Sequence, residues 1–137
     1  MRDDVSRALE KGESPDFADR TIDITTIGRR TGEPRRIEIC FYRFEDSTYL
    51  SGSPAARPRD WLLNLMAEPN FTFHLKKGVV VDLPAVAIVI TSPTERRRVL
   101  TDIVDKFNRR DGADSQWALE RWVEGSPLAK VHFADSN

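Results

Sequence analysis

The chain has 137 residues, 39% of them hydrophobic and 31% charged, with a net charge of −1. That length supports one domain with its own core, and the near-neutral balance excludes a general nucleic-acid footprint. A single cysteine, Cys40, excludes an intramolecular disulfide, and with only two histidines the composition offers no Cys/His zinc cluster. No apolar run reaches membrane-spanning length, and the start Met1-Arg2-Asp3-Asp4 lacks the apolar segment of a signal peptide, so the cytoplasm is the expected location.

Val5, Ala8 and Leu9 recur at helical spacing before Gly12, which predicts a helix over residues 3 to 11 and makes residues 1–19 an N-terminal helix and connector. Thr21 to Ile27 alternates with β-branched residues and reads as a strand. Arg36 to Phe44 is a second strand, with Ile37, Ile39 and Phe41 on one face and Glu38, Cys40 and Tyr42 on the other. Cys40 in such a run is a buried small hydrophobe. Glu45-Asp46-Ser47 is a hairpin turn into a short strand from Thr48 to Gly52. The Gly/Pro-containing run to Arg59 then breaks the β pattern. From Asp60 to Ala67, Trp61, Leu62, Leu65 and Met66 form an amphipathic stripe that ends before Pro69.

Phe71, Phe73 and Leu75 alternate with Thr72, His74 and Lys76 as a half-buried strand, and Lys77-Gly78 reads as a two-residue hairpin loop. Val79 to Ile90 is a long apolar strand in which Pro84 implies a bulge or an edge. Ser92-Pro93-Thr94-Glu95 carries the signals of a helix start. Val99, Leu100, Ile103, Val104 and Phe107 give that helix its core face, and Arg96, Arg97 and Arg98 are read as solvated. A loop at Arg109 to Gly112, a helix from Ser115 to Val123 bearing Trp117 and Trp122, and a strand from Leu128 to Phe133 complete the chain. Residues 1–137 thus read as one α+β, mainly β domain: a mostly antiparallel barrel of about six strands with helices outside.

The stretch from Thr25 to Arg36 places Arg29, Arg30, Arg35 and Arg36 within eight positions between two strands. Gly28 and Gly32 can adopt φ > 0 and let backbone N–H groups approach a ligand, and Pro34 fixes its own φ. Crowded guanidinium groups need an anion or acidic neighbours, and the planar fork suits phosphate and carboxylate. The plainer reading is a solvated hairpin whose arginines pair with Glu33 or Asp23. His74 and His132 have no carboxylate or cysteine partner at motif spacing and are given structural or surface roles.

The run Thr25-Thr26-Ile27-Gly28-Arg29-Arg30-Thr31-Gly32-Glu33-Pro34-Arg35, then Ser51-Gly52-Ser53-Pro54, then Trp61-Leu62-Leu63-Asn64-Leu65-Met66-Ala67-Glu68-Pro69, resembles the deazaflavin-dependent nitroreductase family of split β-barrel proteins. The resemblance covers about residues 20 to 90. It implies a split barrel that binds the anionic coenzyme F420 and passes a hydride to a quinone-like or nitroaromatic acceptor, and it implies pairing into a homodimer as split barrels often do. Carried onto this chain, it places the cofactor against Thr26, Gly28, Arg29, Arg30, Thr31, Arg35, Ser51, Gly52, Trp61 and Asn64, with Trp61 mainly a packing residue.

Family enzymes usually carry Ser-Lys-Gly where this chain has Ser51-Gly52-Ser53, which leaves Arg57 or Arg59 as the replacement cation. The family's C-terminal tyrosines are also missing, so Ser51 and Tyr49 are the catalytic candidates, with solvent as the other proton source. Three other readings compete: an FMN-dependent split barrel whose phosphate the same arginines hold, a non-catalytic binder of a cofactor or apolar ligand, and a nucleic-acid-binding barrel. The aromatic residues do not interleave with the arginines as stacking platforms, which argues against the last.

Overall fold

The structure, a computed structural model, describes residues 1–107 and 115–134. Helix α1 (Asp3–Glu10) and two short 3₁₀ turns lead into strands β1 (Thr21–Ile27), β2 (Pro34–Phe44) and β3 (Ser47–Ser51). Helix α2 (Asp60–Ala67) precedes β4 (Asn70–Leu75) and β5 (Val81–Val89), and helices α3 (Pro93–Phe107) and α4 (Ser115–Gly125) precede β6 (Leu128–Phe133). All six strands pair antiparallel in the order β1-β2-β3-β6-β5-β4, and β4 pairs back to β1 to close the barrel. The expected element order and mainly β architecture are both present. The loop expected at Arg109 to Gly112 lies outside the described residues, as do the side chains of Phe107 and Trp117. Among the described residues no helix is long and apolar enough to cross a membrane.

Strand alternation divides the apolar residues between two cores. Inside the barrel, Ile22, Ile24, Phe41, Leu50, Phe73 and Ala129 are almost fully buried, with Val5, Ala8 and Leu9 of α1 plugging one end and Leu65 of α2 the other. Phe73 packs edge-on against Phe41 at 5.5 Å and Phe133 at 5.2 Å, the arrangement aromatic quadrupoles favour. Outside it, Cys40, Tyr42, Tyr49 and Leu128 lie beneath Val99, Leu100 and Ile103 of α3.

Several local expectations are corrected. Pro84 marks neither a bulge nor a sheet edge, because the β4–β5 register runs through it without a slip, opposite Thr72. Its missing N–H falls on the β6 side, past the last ladder pair, Ala85 with Phe133, where its carbonyl accepts from Ala134. The Lys77-Gly78 loop spans residues 76–80, since pairing stops at Leu75 and Val81. Lys76 leaves the ladder to bind Asp23 at 2.6 Å and also Glu38, and Lys77 donates to the Ala18 carbonyl. Met66 does not belong to the buried stripe of α2: it is 59% exposed, and Asn64 is buried instead.

The α3 arginines are not simply solvated. Arg96 donates to the carbonyls of Ile90, Trp122, Val123 and Ser126, so a cation sits at the C-terminal end of α4 where the helix dipole favours it. Arg97 pairs with Glu120 and Arg98 with Glu45.

Two predictions follow from these contacts. A Cβ on Gly12 would stand 2.7 Å from the Arg43 backbone nitrogen and 2.8 Å from the Arg43 Cβ, so Gly12→Ala must push the α1 connector off β2. A loss of about 1–3 kcal/mol is expected in chemical denaturation. Asp23, bonded to Lys76 and Arg36, has its carboxyl held below the ordinary 3.8, first by the Lys76 hydrogen bond. Its stabilising effect is therefore present above the unfolded-state value and is lost as pH falls through the lower folded-state value. Melting curves against pH should show Asp23→Asn less stable than wild type at neutral pH, with the gap closing in acid.

Candidate active site

The arginine turn stands where β1 ends and β2 begins, at the α2 end of the barrel. Its shape comes from internal bonds: the Gly28 N–H donates to Glu33 O and the Gly32 N–H to Gly28 O, both at 2.8 Å. Only Gly32 takes positive φ, at 73°. Gly28 is required by close approach instead, since a Cβ there would lie 2.9 Å from Thr31 Oγ1 and 3.4 Å from Arg35 Nε. The two glycine amides are therefore committed to the turn and not offered to a ligand. Those of Arg30 and Thr31 have no partner inside it.

Each arginine has a different fate. Arg29 is turned inward: its backbone N–H and Nη1 both donate to Asn64 Oδ1, at 3.2 and 2.9 Å, and Nη2 reaches Asp60 at 3.2 Å. Asn64 Nδ2 donates in turn to Thr26 Oγ1. Arg36 is taken by Asp23 at 3.0 Å. Arg30 and Arg35 have no carboxylate partner among the described residues. They line a cavity of about 490 Å³ with Thr26, Gly28, Thr31, Arg59, Trp61 and Asn64.

A second cavity, of about 330 Å³, adjoins the first through Ile37, Arg59 and Trp61. Its floor is the outward face of the β2–β3 hairpin. The register that sets Phe41 opposite Leu50 brings Cys40 beside Ser51 and Tyr42 beside Tyr49. Cys40, Tyr42, Ser51 and Gly52 line it, with the exposed ring of Phe17 at its rim. Ser51 Oγ is buried and donates to the Pro127 carbonyl at 2.6 Å. Burial pushes the Cys40 thiol up, so it stays protonated.

Eleven of the residues singled out in the sequence therefore converge on two joined cavities. Thr26, Gly28, Arg29, Arg30, Thr31, Arg35 and Asn64 line the first, Ser51 and Gly52 the second, and Trp61 both. Arg59 also lines both, donating to the Ser53 carbonyl at 3.2 Å. Two are placed elsewhere. Arg57 faces a different pocket, with Arg96 and Glu124. Tyr49 is 1% exposed beneath α3 and lines neither cavity. Tyr42, which shares the outward parity of Cys40, also lines the second cavity and was not among the sequence candidates.

The family model of the F420H(2)-dependent quinone reductases matches residues 5–116. The chain belongs to that family. As an F420H(2)-dependent quinone reductase family member it is an F420-dependent reductase with coenzyme F420 as its cofactor. Solved structures agree on the split-barrel fold. A conserved hypothetical protein of Mycobacterium tuberculosis superposes with TM-score 0.71 at 14% identity, over 98% of this chain and 81% of that one. An F420-H2 dependent reductase gives 0.56 at 19% identity over 82% and 94%. A structure described as a domain-swapped dimer gives 0.58 at 18% identity over 96% of each chain. No curated protein matches.

The chemistry of the first cavity fits that anionic coenzyme, since Arg30, Arg35 and Arg59, which have no carboxylate partner among the described residues, line it beside the Arg29–Asp60 pair, with an apolar wall at Ile37 and Trp61. The unequal fates of the arginines predict unequal variants. Arg35→Ala should weaken coenzyme binding about ten- to a hundredfold with unchanged melting, from the loss of one charge-assisted hydrogen bond. Arg29→Ala should lower the melting temperature as well, because it removes the Nη1 bond to the buried Asn64 and the Nη2 bond to Asp60. Fluorescence titration and thermal melts on the two variants separate these outcomes.

Proposed function

We propose that the protein transfers a hydride from reduced coenzyme F420 to a flat quinone-like or nitroaromatic acceptor, with the coenzyme's phosphodiester and tail at the arginine turn and the acceptor in the second cavity. The observation that carries this reading is the junction of the two cavities at Ile37, Arg59 and Trp61. One compartment is rich in unpaired cations, and the other is walled by Phe17, Ile39 and Trp61 and closed below by β2.

The coenzyme, when bound, supplies the hydride. The protein's own part is to orient and to exclude water. Arg30 and Arg35 attract and fix the anionic end. Trp61 at the junction fixes the spacing between donor and acceptor. Ser51, whose proton is committed to Pro127, shapes the wall without acting as an acid.

The decisive experiment titrates purified protein with coenzyme F420 and with FMN, then supplies reduced coenzyme F420 with quinone and nitroaromatic acceptors. Micromolar or tighter binding of coenzyme F420, preference over FMN, and acceptor-dependent oxidation with no activity from NADPH alone are expected. Binding without turnover across the acceptor panel would make the protein a carrier, and tighter binding of FMN would replace the cofactor.

A further inference from the structure

The loop before α2 carries Arg57 away from the two joined cavities and onto the wall of a third, of about 280 Å³. Arg59 and Arg96 line it as well, with Glu124 of α4 and Pro127 from the link to β6. None of the three guanidinium groups has a carboxylate partner among the described residues. Glu124 shares the wall and pairs with none of them, so positive charge is in surplus. The proposed function makes no use of this cavity.

Arg96 fixes part of that charge in place. Its Nε and Nη2 donate to the Val123 carbonyl at 3.1 and 2.8 Å, and Nη2 also to the Ser126 carbonyl at 2.8 Å, so the guanidinium cannot swing out to water. Burial pushes it below its ordinary value: the cation has lost solvation and has gained no carboxylate in return. Beside it, the exposed Arg57 and Arg59 offer planar forks that suit a carboxylate. A phosphate dianion would meet Glu124 with twice the charge, so a carboxylate is the better match. The third cavity adjoins the second, because Arg59 lines both. The partition behind Arg59 is thin. Gly52 lines the second cavity and Pro127 the third, and a Cβ placed on Gly52 would meet only Pro127 Cγ within 4 Å, at 3.7 Å.

We propose that Arg57, with Arg59 and Arg96, forms a carboxylate subsite for the acceptor, so that the preferred acceptors are flat quinones or nitroaromatics bearing a carboxylate. The ring to be reduced lies in the second cavity, and its carboxylate reaches past Arg59 toward Arg57. Arg57 is then a specificity-determining residue. The carboxylate keeps its charge throughout and takes no part in hydride transfer. Arg57 lines neither of the other two cavities, so replacing it should change which acceptor binds and leave the coenzyme's hold unchanged.

This inference rests on the proposed function, and its test separates the two. In the protein without coenzyme, 4-nitrobenzoate and its neutral isostere 4-nitrobenzamide are titrated by quenching of tryptophan fluorescence. Wild type should bind the carboxylate about tenfold or more tightly than the amide, the worth of one charge-assisted contact. High salt should shrink that difference. Arg57→Gln should melt as wild type does, bind the amide within about twofold of wild type, and lose most of the preference. Arg57→Lys should keep part of it, since lysine retains the charge without the fork. With reduced coenzyme F420 supplied, Arg57→Gln should raise KM for 4-nitrobenzoate about tenfold at unchanged kcat, the pattern of a contact made equally before and during reaction. Equal affinity of wild type for the two ligands, binding of neither, or a preference that survives in Arg57→Gln would overturn the subsite. A matching loss of coenzyme affinity in Arg57→Gln would overturn it too, by assigning the cavity to the coenzyme's anionic tail. Failure of coenzyme F420 to bind wild type would instead strike the proposed function, leaving the coenzyme-free titrations to decide the subsite.

Discussion

Asn64 brings a carboxamide into the seam between α2 and the barrel, and the site is built on how that group is satisfied. It is 5% exposed, accepts twice from Arg29 and donates to Thr26. Leaving such a buried group without partners costs about 1–3 kcal/mol. The nearby Arg29–Asp60 pair carries less weight, because Asp60 is 88% exposed and exposed pairs contribute about 0–1 kcal/mol. One side chain thus ties the end of β1, the arginine turn and the helix that closes the barrel into a single unit.

The consequence is a division of labour among like charges. Arg29 is part of the architecture. Arg35 and Arg36 are neighbours on one strand, and the pleat sends them to opposite faces. Arg36 goes out to Asp23, whereas Arg35 stays beside Gly28 in the cavity. Two of the turn's four guanidinium groups are left without acidic partners, joined by Arg59 from the loop before α2. Their mutual repulsion is the physical reason an anion is favoured there.

The polar groups on the opposite barrel face have a structural account. His74 bridges Thr25 Oγ1 and Asp82 Oδ1, each at 2.6 Å, and is 6% exposed. Its hydrogen bond holds the Asp82 carboxyl below the ordinary range. Together with Asp23, Lys76 and Glu38 it forms a row across four strands that satisfies polar side chains where no helix covers the sheet. On the covered face, Arg96 binds α4 to the end of β5 and the start of β6 through backbone carbonyls.

Local pattern determined a good deal by itself. Strand alternation set which residues of β2 face inward, helical spacing located α2 and α3, and the run of arginines between two strands marked three side chains that line one cavity. Those signals survive because each depends on neighbours within a few positions. What tertiary structure alone decided is which polar groups meet. His74 finds Asp82 through the β4–β5 register, Arg29 finds Asn64 across 35 residues, and Arg20 reaches Tyr42 from a connector that carries no periodic signal. Barrel closure also makes β5 an interior strand, because β6 returns from the C-terminus to pair with it up to Ala85, so Pro84 falls at the end of that ladder and not on an edge strand. Sequence spacing cannot reveal such pairings, because they are fixed by strand register and by how the barrel closes, and both arise only once distant segments pack together.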